Sequence, residues 1–190
     1  MRVVAEDVAE KAIATLDTMS WKDRAPLDAR FTELELAWRT VEPELLAWAK
    51  DVEARAPRVP GGRIPVGAKW ATEREFVRPL SYAGRVQSLA QTTEPALVPV
   101  PVVRIGDVCI GTMPFEVFCE TGLDFKSRCP IQPAFMVELA HGYFGYLPTP
   151  RQHRLGGYET WLSTNRVEPE ASDKLLDALL KMAAELKQPN

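Results

Sequence analysis

Residues 95–118 read PALVPVPVVRIGDVCIGTMPFEVF, and this stretch decides the fold. Gly106-Asp107 separates two apolar runs, which predicts a β-hairpin with a tight turn of the type that starts with glycine. Pro99 and Pro101 stand two residues apart, so their missing N–H groups fall on one edge of the first strand. We therefore expect that edge to pair poorly beside the two prolines.

The chain after the hairpin predicts a βαβ unit. A strand over 108–111 leads into a helix over 115–128, and an apolar strand follows over 134–140. Two strands joined in this way by a helix pair in parallel, with a right-handed crossover. The predicted fold class is therefore α/β, with a mixed sheet and flanking helices.

The segments before the hairpin predict an amphipathic helix and a half-buried strand. Residues 3–18 carry apolar side chains at helical spacing, and we expect that face to lie on a core. In TELELAW, residues 32–38, leucine and tryptophan alternate with glutamate, as in a strand with one buried face.

Three further helices are predicted. Thr40 is placed to cap a helix over 41–54, and a proline- and glycine-rich loop over 56–71 follows it. Thr72 and Glu75 match a capping box that opens a helix reaching Gln91. The last helix, over 169–187, has an inner apolar stripe formed by Leu175, Leu176, Leu179 and Met182.

Length and composition describe an ordinary globular chain. Its 190 residues fit a single domain. The net charge of −3, with scattered basic residues, does not favour a nucleic-acid partner. Neither a transmembrane run nor a signal peptide is apparent, because acidic residues interrupt the first segment and charged residues interrupt the best apolar run.

The three cysteines are expected to be free thiols. Cys109, Cys119 and Cys129 show no close paired spacing, which argues against both a disulfide framework and a cysteine metal knuckle. We expect them to be buried.

The candidate chemistry gathers at one predicted edge of the sheet. In a parallel βαβ unit both strands end at the same edge, where open α/β folds bind ligands. Glu116 follows the first strand, and is expected in the first turn of the helix, where a carboxylate is held ionised. His141, Tyr143 and Tyr146 follow the second strand. Plainer interpretations remain: a helix-capping glutamate, a loop histidine and an amphipathic tyrosine at the sheet rim.

The loop ELAHGYFGYLPTPRQHRLGGYETW, residues 138–161, is rich in such groups. It holds both histidines of the chain, His141 and His153, and three of its four tyrosines, Tyr143, Tyr146 and Tyr158. This clustering singles out the loop as a candidate functional segment.

These motifs resemble the C-terminal part of the catalytic domain of neutral/alkaline ceramidases, and most closely their uncharacterised bacterial relatives. The family pattern has a strand ending in Arg-Ile-Gly, then Pro-Gly-Glu-Phe, then two tyrosines three residues apart, then a Tyr-Glu dipeptide. The matching residues are Arg104-Ile105-Gly106, Glu116, Tyr143, Tyr146, Thr149 and Tyr158-Glu159. The interval from Tyr146 to Tyr158 equals the family's interval.

The resemblance implies a zinc-dependent hydrolase of sphingolipid metabolism that cleaves the amide of N-acylsphingosines. Glu116 and Tyr146 match two zinc ligands, and Tyr158 matches the tyrosine that steadies the tetrahedral intermediate. His141, Tyr143 and His153 are additional candidates. The substrate would be an N-acyl lipid or another acyl amide, and the resemblance implies a parent protein that is secreted or periplasmic.

The departures from the pattern imply an incomplete site. The family's zinc histidines belong to a segment that would precede residue 1, and the chain has no His-x-His motif. Pro114-Phe115-Glu116 replaces Pro-Gly-Glu, and His141 replaces an asparagine. The resemblance therefore implies that the chain is the C-terminal half of a larger ceramidase-like catalytic domain, and we expect it to be inactive alone. A missing N-terminal segment, or self-association, would cover an apolar sheet face.

Two other interpretations stay open. The chain could be a non-catalytic binding or scaffold module that keeps the family's α/β shell. A different hydrolase with His141 or His153 as general base ranks last, because no Ser or Cys stands in a nucleophile context.

Overall fold

The structure is a computed structural model that describes residues 2–56 and 74–187. The predicted loop over 56–71, apart from its first residue, and Thr72 of the predicted capping box fall outside what is described. In chain order the elements are α1 (Arg2–Leu16), β1 (Leu27–Leu36), α2 (Pro43–Arg55), α3 (Arg74–Ala90), β2 (Ala96–Ile105), β3 (Val108–Thr112), β4 (Glu116–Val117), α4 (Cys119–Arg128), β5 (Ala134–Val137), β6 (Tyr146–Leu147), α5 (Pro150–Leu155) and α6 (Ala171–Lys187), with a 3₁₀ turn over Tyr158–Thr160 between the last two helices.

The main sheet has four strands in the order β1-β2-β3-β5. The β1–β2 and β2–β3 pairs are antiparallel, whereas β3 and β5 are parallel and joined through α4. This confirms the mixed sheet and the βαβ unit that the sequence predicts. The strands β4 and β6 form a separate two-stranded parallel sheet.

The hairpin between β2 and β3 has the predicted form. Gly106 adopts φ +60°, which suits the first position of a tight turn that starts with glycine. β3 pairs with β2 only from Val102 to Ile105, so the pairing stops beside Pro101. The carbonyl of Pro101 instead accepts a hydrogen bond from Thr112 Oγ1 at 3.2 Å.

The core lies between one face of the main sheet and two helices, α4 and α6. Leu36, Val98, Val100 and Val102 from β1 and β2 are completely buried there, together with Phe125 from α4. The predicted stripe of α6 is confirmed, since all four of its members are buried: Leu175, Leu176, Leu179 and Met182. A second, smaller cluster of Ala49, Ala83 and Val86 joins α2 to α3.

The opposite face of the main sheet is apolar and open to solvent. Alternation along each strand and the strand register put the same-facing residues side by side, for example Phe31 with Pro101 and Ile110 with Phe135. We call the exposed and half-buried apolar residues of this side the open face: Leu27, Ala29, Phe31, Leu97, Pro99, Pro101, Val103, Ile105, Val108, Ile110, Phe135 and Val137. Glu33 and Glu35 are the acidic residues of β1 on this side, as the alternation in TELELAW predicts.

The predicted helix over 115–128 is wrong at its start. Backbone pairing with β6 keeps the chain extended at Glu116 and Val117, and α4 begins only at Cys119. Glu116 therefore lies on a short strand and not in the first turn of a helix, so the expected stabilisation by the helix dipole does not apply. The predicted strand over 134–140 ends early, at Val137, because Leu139 (φ +53°) turns into the left-handed region.

The first two helices also differ from expectation. α1 forms, but none of its residues is buried, so its apolar face does not lie on a core within the described part of the chain. α2 begins at Pro43 after Glu42 rather than after Thr40, because proline at the first position pre-sets the helical φ. Among the described helices, none combines the length and the apolar character that crossing a membrane requires.

The cysteines are free, as predicted, but only Cys109 and Cys129 are buried. Cys119 is exposed at the start of α4, so the expectation of three buried thiols is wrong there.

Candidate active site

The candidate site is built on the pairing of β4 with β6. Glu116 and Tyr146 are register partners in this parallel pair, and the Glu116 N–H donates to the carbonyl of Gly145 at 3.0 Å. Residues thirty apart in the sequence thus meet beyond the ends of β3 and β5, as the topology predicts. Gly145 is needed here, since it has φ +91° and an added Cβ would lie 2.5 Å from the carbonyl oxygen of Thr164.

Two tyrosines interact with Glu116. The Tyr143 hydroxyl donates to Glu116 Oε1 at 2.8 Å. Hydrogen bonding to Glu116, followed by desolvation, raises the pKa of Tyr146 to about 12. Partial burial raises the pKa of Tyr143, and its bond to Glu116 adds to the effect. Both phenols are therefore neutral donors facing a carboxylate at neutral pH.

Tyr158 lies next to this pair. The 3₁₀ turn places its ring in a T-shaped contact with Tyr146, with 6.0 Å between the ring centroids. The ring of Trp161 contacts Tyr158 from another side at 5.4 Å. The side chain of Tyr158 is 45% exposed, so its hydroxyl is accessible to a ligand.

The two histidines do not join the cluster. His141 is exposed, with φ +68°, and within the described residues no hydrogen bond links it to Glu116 or to the tyrosines. His153 lies on α5, where its Nε2 is buried and has no hydrogen-bond partner in the described part of the chain. Burial lowers the pKa of His153, and the nearby positive charge of Arg39 adds to this effect, so its imidazole favours the neutral form.

The segment 163–166 supports the site, although no sequence motif pointed to it. Asn165 is completely buried, and its amide donates to the carbonyl of Tyr146 at 3.1 Å while its oxygen accepts from Arg39 at 3.2 Å. The Arg166 guanidinium lies over the ring of Tyr143, 5.5 Å from its centroid. These contacts join residues that are far apart in the sequence, so local residue spacing does not predict them.

The Glu116 cluster contains two oxygen donors of a kind that can bind a metal ion. Glu116 and Tyr146 offer a carboxylate and a phenolic oxygen side by side. Within residues 2–56 and 74–187, no group of three or more His, Cys, Asp or Glu residues is placed to hold a metal. Since zinc sites use three or four protein ligands, mostly histidine or cysteine, further ligands would have to come from another polypeptide segment.

Comparison with solved structures finds a similar fold in part of two ceramidase structures. A ceramidase solved in complex with C2 superposes with a TM-score of 0.50 at 16% sequence identity, over 85% of this chain and 30% of that chain. Neutral ceramidase from Pseudomonas aeruginosa matches with a TM-score of 0.49 at 17% identity, over 85% of this chain and 28% of that one. No protein-family model and no curated protein matches the sequence.

The chain thus has the fold of part of a ceramidase, as the motifs around Glu116 and Tyr146 predicted. It spans under a third of the length of the ceramidases it matches.

Proposed function

We propose that this chain is the C-terminal segment of a zinc-dependent, ceramidase-like amidohydrolase that cleaves an N-acyl amide, and that it is inactive alone. The observation that carries the proposal is the register pairing of Glu116 with Tyr146, with Tyr143 and Tyr158 around them. Four residues that were separate in the sequence motif form one contiguous cluster. The ceramidase fold of the surrounding elements supports the same conclusion.

Each residue has a role in this proposal. Glu116 and Tyr146 would supply two oxygen ligands to zinc, which acts as a Lewis acid on the amide carbonyl. Tyr143 fixes the Glu116 carboxylate through its 2.8 Å hydrogen bond. Tyr158, with its accessible hydroxyl, donates a hydrogen bond to the oxygen that becomes negatively charged when the carbonyl is attacked.

The remaining ligands would come from a further polypeptide segment that packs on the open face. A contiguous apolar surface of this kind marks an interaction site more often than a solvated one. Two sheets pack face to face at about 10 Å when both inner faces are apolar, which is the geometry this side offers. A second copy of the chain would cover the face as well, but would bring only the same donors again.

Complementation tests the proposal. The chain alone, and the chain mixed with the part of a neutral ceramidase that it does not match, are assayed for zinc content and for hydrolysis of a fluorogenic N-acyl amide. We expect hydrolysis only in the mixture, and we expect Glu116→Ala to abolish both zinc retention and hydrolysis there. In the mixture, Tyr158→Phe should lower kcat by about 10²–10³-fold, the cost of losing one oxyanion donor.

Tyr82→Phe is the matched control, because it also removes a phenolic hydroxyl but its ring packs on Trp161 rather than on Tyr146. Hydrolysis by the pure chain would disprove the proposal that its active site is incomplete. Stable binding of the complementing segment without zinc and without hydrolysis would instead identify a non-catalytic module.

A further inference from the structure

A small cavity next to the candidate active site has the lining of an anion-binding pocket. It has a volume of about 110 Å³ and lies between the end of α3 and the segment 163–166. Two arginines, Arg85 and Arg166, are among its lining residues. The lining also includes Trp38 and three residues with hydroxyl groups, Ser88, Thr92 and Ser163, of which Thr92 donates to the carbonyl of Ser88 at 3.2 Å.

Buried donors at this cavity lack protein partners. The Nε of Arg85 and the hydroxyl of Ser163 are both buried, and neither has a hydrogen-bond partner among the residues that the structure describes. Ser163 is only 2% exposed and adopts φ +72°, a conformation that is strained for a residue with a side chain. Buried polar groups are nearly always satisfied, so two unpaired donors at one cavity call for an acceptor.

The charge at the cavity is positive. Among the described residues, no carboxylate lies within salt-bridge distance of Arg85 or Arg166. The seven ion pairs of the described chain involve other residues. Guanidinium groups present several fixed N–H donors and suit carboxylate and phosphate oxygens. A cavity of this size is smaller than the roughly 300–1,000 Å³ of whole-ligand sites, so it fits one anionic group.

Arg166 joins the cavity to the candidate active site. Its guanidinium lies 5.5 Å from the ring centroid of Tyr143, and the Tyr143 hydroxyl donates to Glu116. The same segment holds Tyr146 in place, since the Tyr146 N–H donates to the carbonyl of Thr164 at 3.0 Å. A ligand that reaches the Glu116 cluster could therefore extend an anionic group past Tyr143 into the cavity.

We propose that this cavity binds an oxyanion, a carboxylate or a phosphate, carried by the acyl amide that is cleaved at Glu116. The proposal rests on the proposed function, and it narrows the substrate class to anionic N-acyl compounds. Arg85 and Arg166 supply the charge, and Ser163 supplies a preorganised hydrogen bond. A neutral acyl amide would leave these donors unpaired.

Binding measured on the full chain without zinc tests the pocket separately from catalysis. The probes are inorganic phosphate, N-acetylglycine and, as the neutral control, N-methylacetamide, followed by NMR chemical shifts and calorimetry. We expect one or both anions to bind saturably and to shift the resonances at the end of α3 and in segment 163–166. The relative affinities of phosphate and N-acetylglycine identify which oxyanion is preferred.

Two variants probe the pocket, and a third is the control. Arg85→Gln should weaken anion binding about ten- to a hundredfold, as expected for the loss of a charged hydrogen-bond donor. Ser163→Gly removes the hydroxyl while accepting the positive φ, and should weaken binding several-fold. Arg24→Gln removes one positive charge from an exposed position away from the cavity and should leave binding unchanged. Thermal unfolding curves identify any variant that fails to fold.

The inference is overturned if neither phosphate nor N-acetylglycine binds saturably. It is also overturned if Arg85→Gln leaves the anion affinity unchanged. A second measurement, on the complemented enzyme, separates the two proposals. Arg85→Gln should raise KM for an anionic acyl amide and leave KM for a neutral one unchanged. If the anions bind but the complemented protein hydrolyses no amide, the pocket stands and the amidohydrolase proposal fails.

Discussion

The Tyr143 hydroxyl donates a 2.8 Å hydrogen bond to Glu116 Oε1, across 27 positions of sequence. This bond holds the carboxylate of β4 against the loop that leads into β6. Because Arg166 lies over the Tyr143 ring, the same tyrosine separates a negative group from a positive one. Tyr143 therefore takes part in both proposals, because it contacts Glu116 of the proposed amidohydrolase site and Arg166 of the proposed anion pocket.

The pKa of Tyr146 is the most direct reporter of the Glu116 cluster. Hydrogen bonding to Glu116 raises that pKa to about 12, above the ordinary value of 10.0. Glu116→Gln removes the charge, so we expect the pKa of Tyr146 to fall back towards its ordinary value. Ultraviolet titration of tyrosinate, with Tyr146→Phe to assign the transition, measures it. An unchanged titration in Glu116→Gln would contradict the contact.

The same shift has a consequence for stability at high pH. Between the ordinary pKa of 10.0 and the raised value of about 12, the folded chain keeps a phenolic proton that the unfolded chain loses. The contribution of Tyr146 to stability is therefore complete below the lower of these values and is lost as pH rises through the upper one. Urea denaturation across this range should show a shallower pH dependence in Glu116→Gln than in the unmodified chain.

Asn165 should be a structural requirement of the site. Its buried amide joins the carbonyl of Tyr146 to the Arg39 guanidinium. Asn165→Ala removes both hydrogen bonds and leaves the Tyr146 carbonyl without this donor, whereas Arg39 Nη1 keeps its bond to the carbonyl of Thr160. We expect a loss of about 1–3 kcal/mol in the free energy of unfolding. Urea denaturation measures it. Gln91→Ala, at an exposed position just after α3, is the control and should change stability little.

Two glycines should respond to alanine in opposite directions. A Cβ on Gly111 would lie 2.9 Å from Cζ of the buried Phe125 ring, so Gly111→Ala should destabilise the core by about 1–3 kcal/mol. Gly122 lies within α4, and a Cβ there meets no atom within 4 Å. Gly122→Ala should therefore stabilise the chain by about 0.5–1 kcal/mol through helix propensity. Similar responses would contradict the packing of β3 against α4.

The open face should make the isolated chain bind an apolar dye or self-associate. Phe31 is 63% exposed on this face, and Phe31→Lys should reduce dye fluorescence and shift light scattering towards the monomer. Leu123→Lys is the matched control, since Leu123 is 61% exposed but lies on α4, in the helical layer. Equal effects of the two substitutions would mean that the open face has no special role.

Features that local interactions determine could be predicted from the sequence, whereas features that depend on contacts between distant segments were missed. The hairpin at Gly106, the βαβ unit and the stripe of α6 depend on local periodicity and turn chemistry, so they could be predicted from the sequence. The start of α4 could not, because the extended backbone at Glu116 depends on a strand thirty residues later.

The candidate site shows the same division. A sequence motif identified four residues that the structure brings together: Glu116, Tyr143, Tyr146 and Tyr158. His141 was chosen for its residue type and its position after β5, and the left-handed backbone at that residue turns it away from a regular strand. Arg166 and Asn165 were missed because their roles depend on tertiary contacts alone.

The two prolines of β2 limit how copies of the isolated chain can associate. Beyond the end of its pairing with β3, that edge of β2 would offer backbone donors to any passing strand, but Pro99 and Pro101 have none to offer. Growth of a fibril by strand addition is thus blocked at this edge. Copies of the isolated chain are instead expected to associate through side chains of the open face, and such contacts can dissociate again.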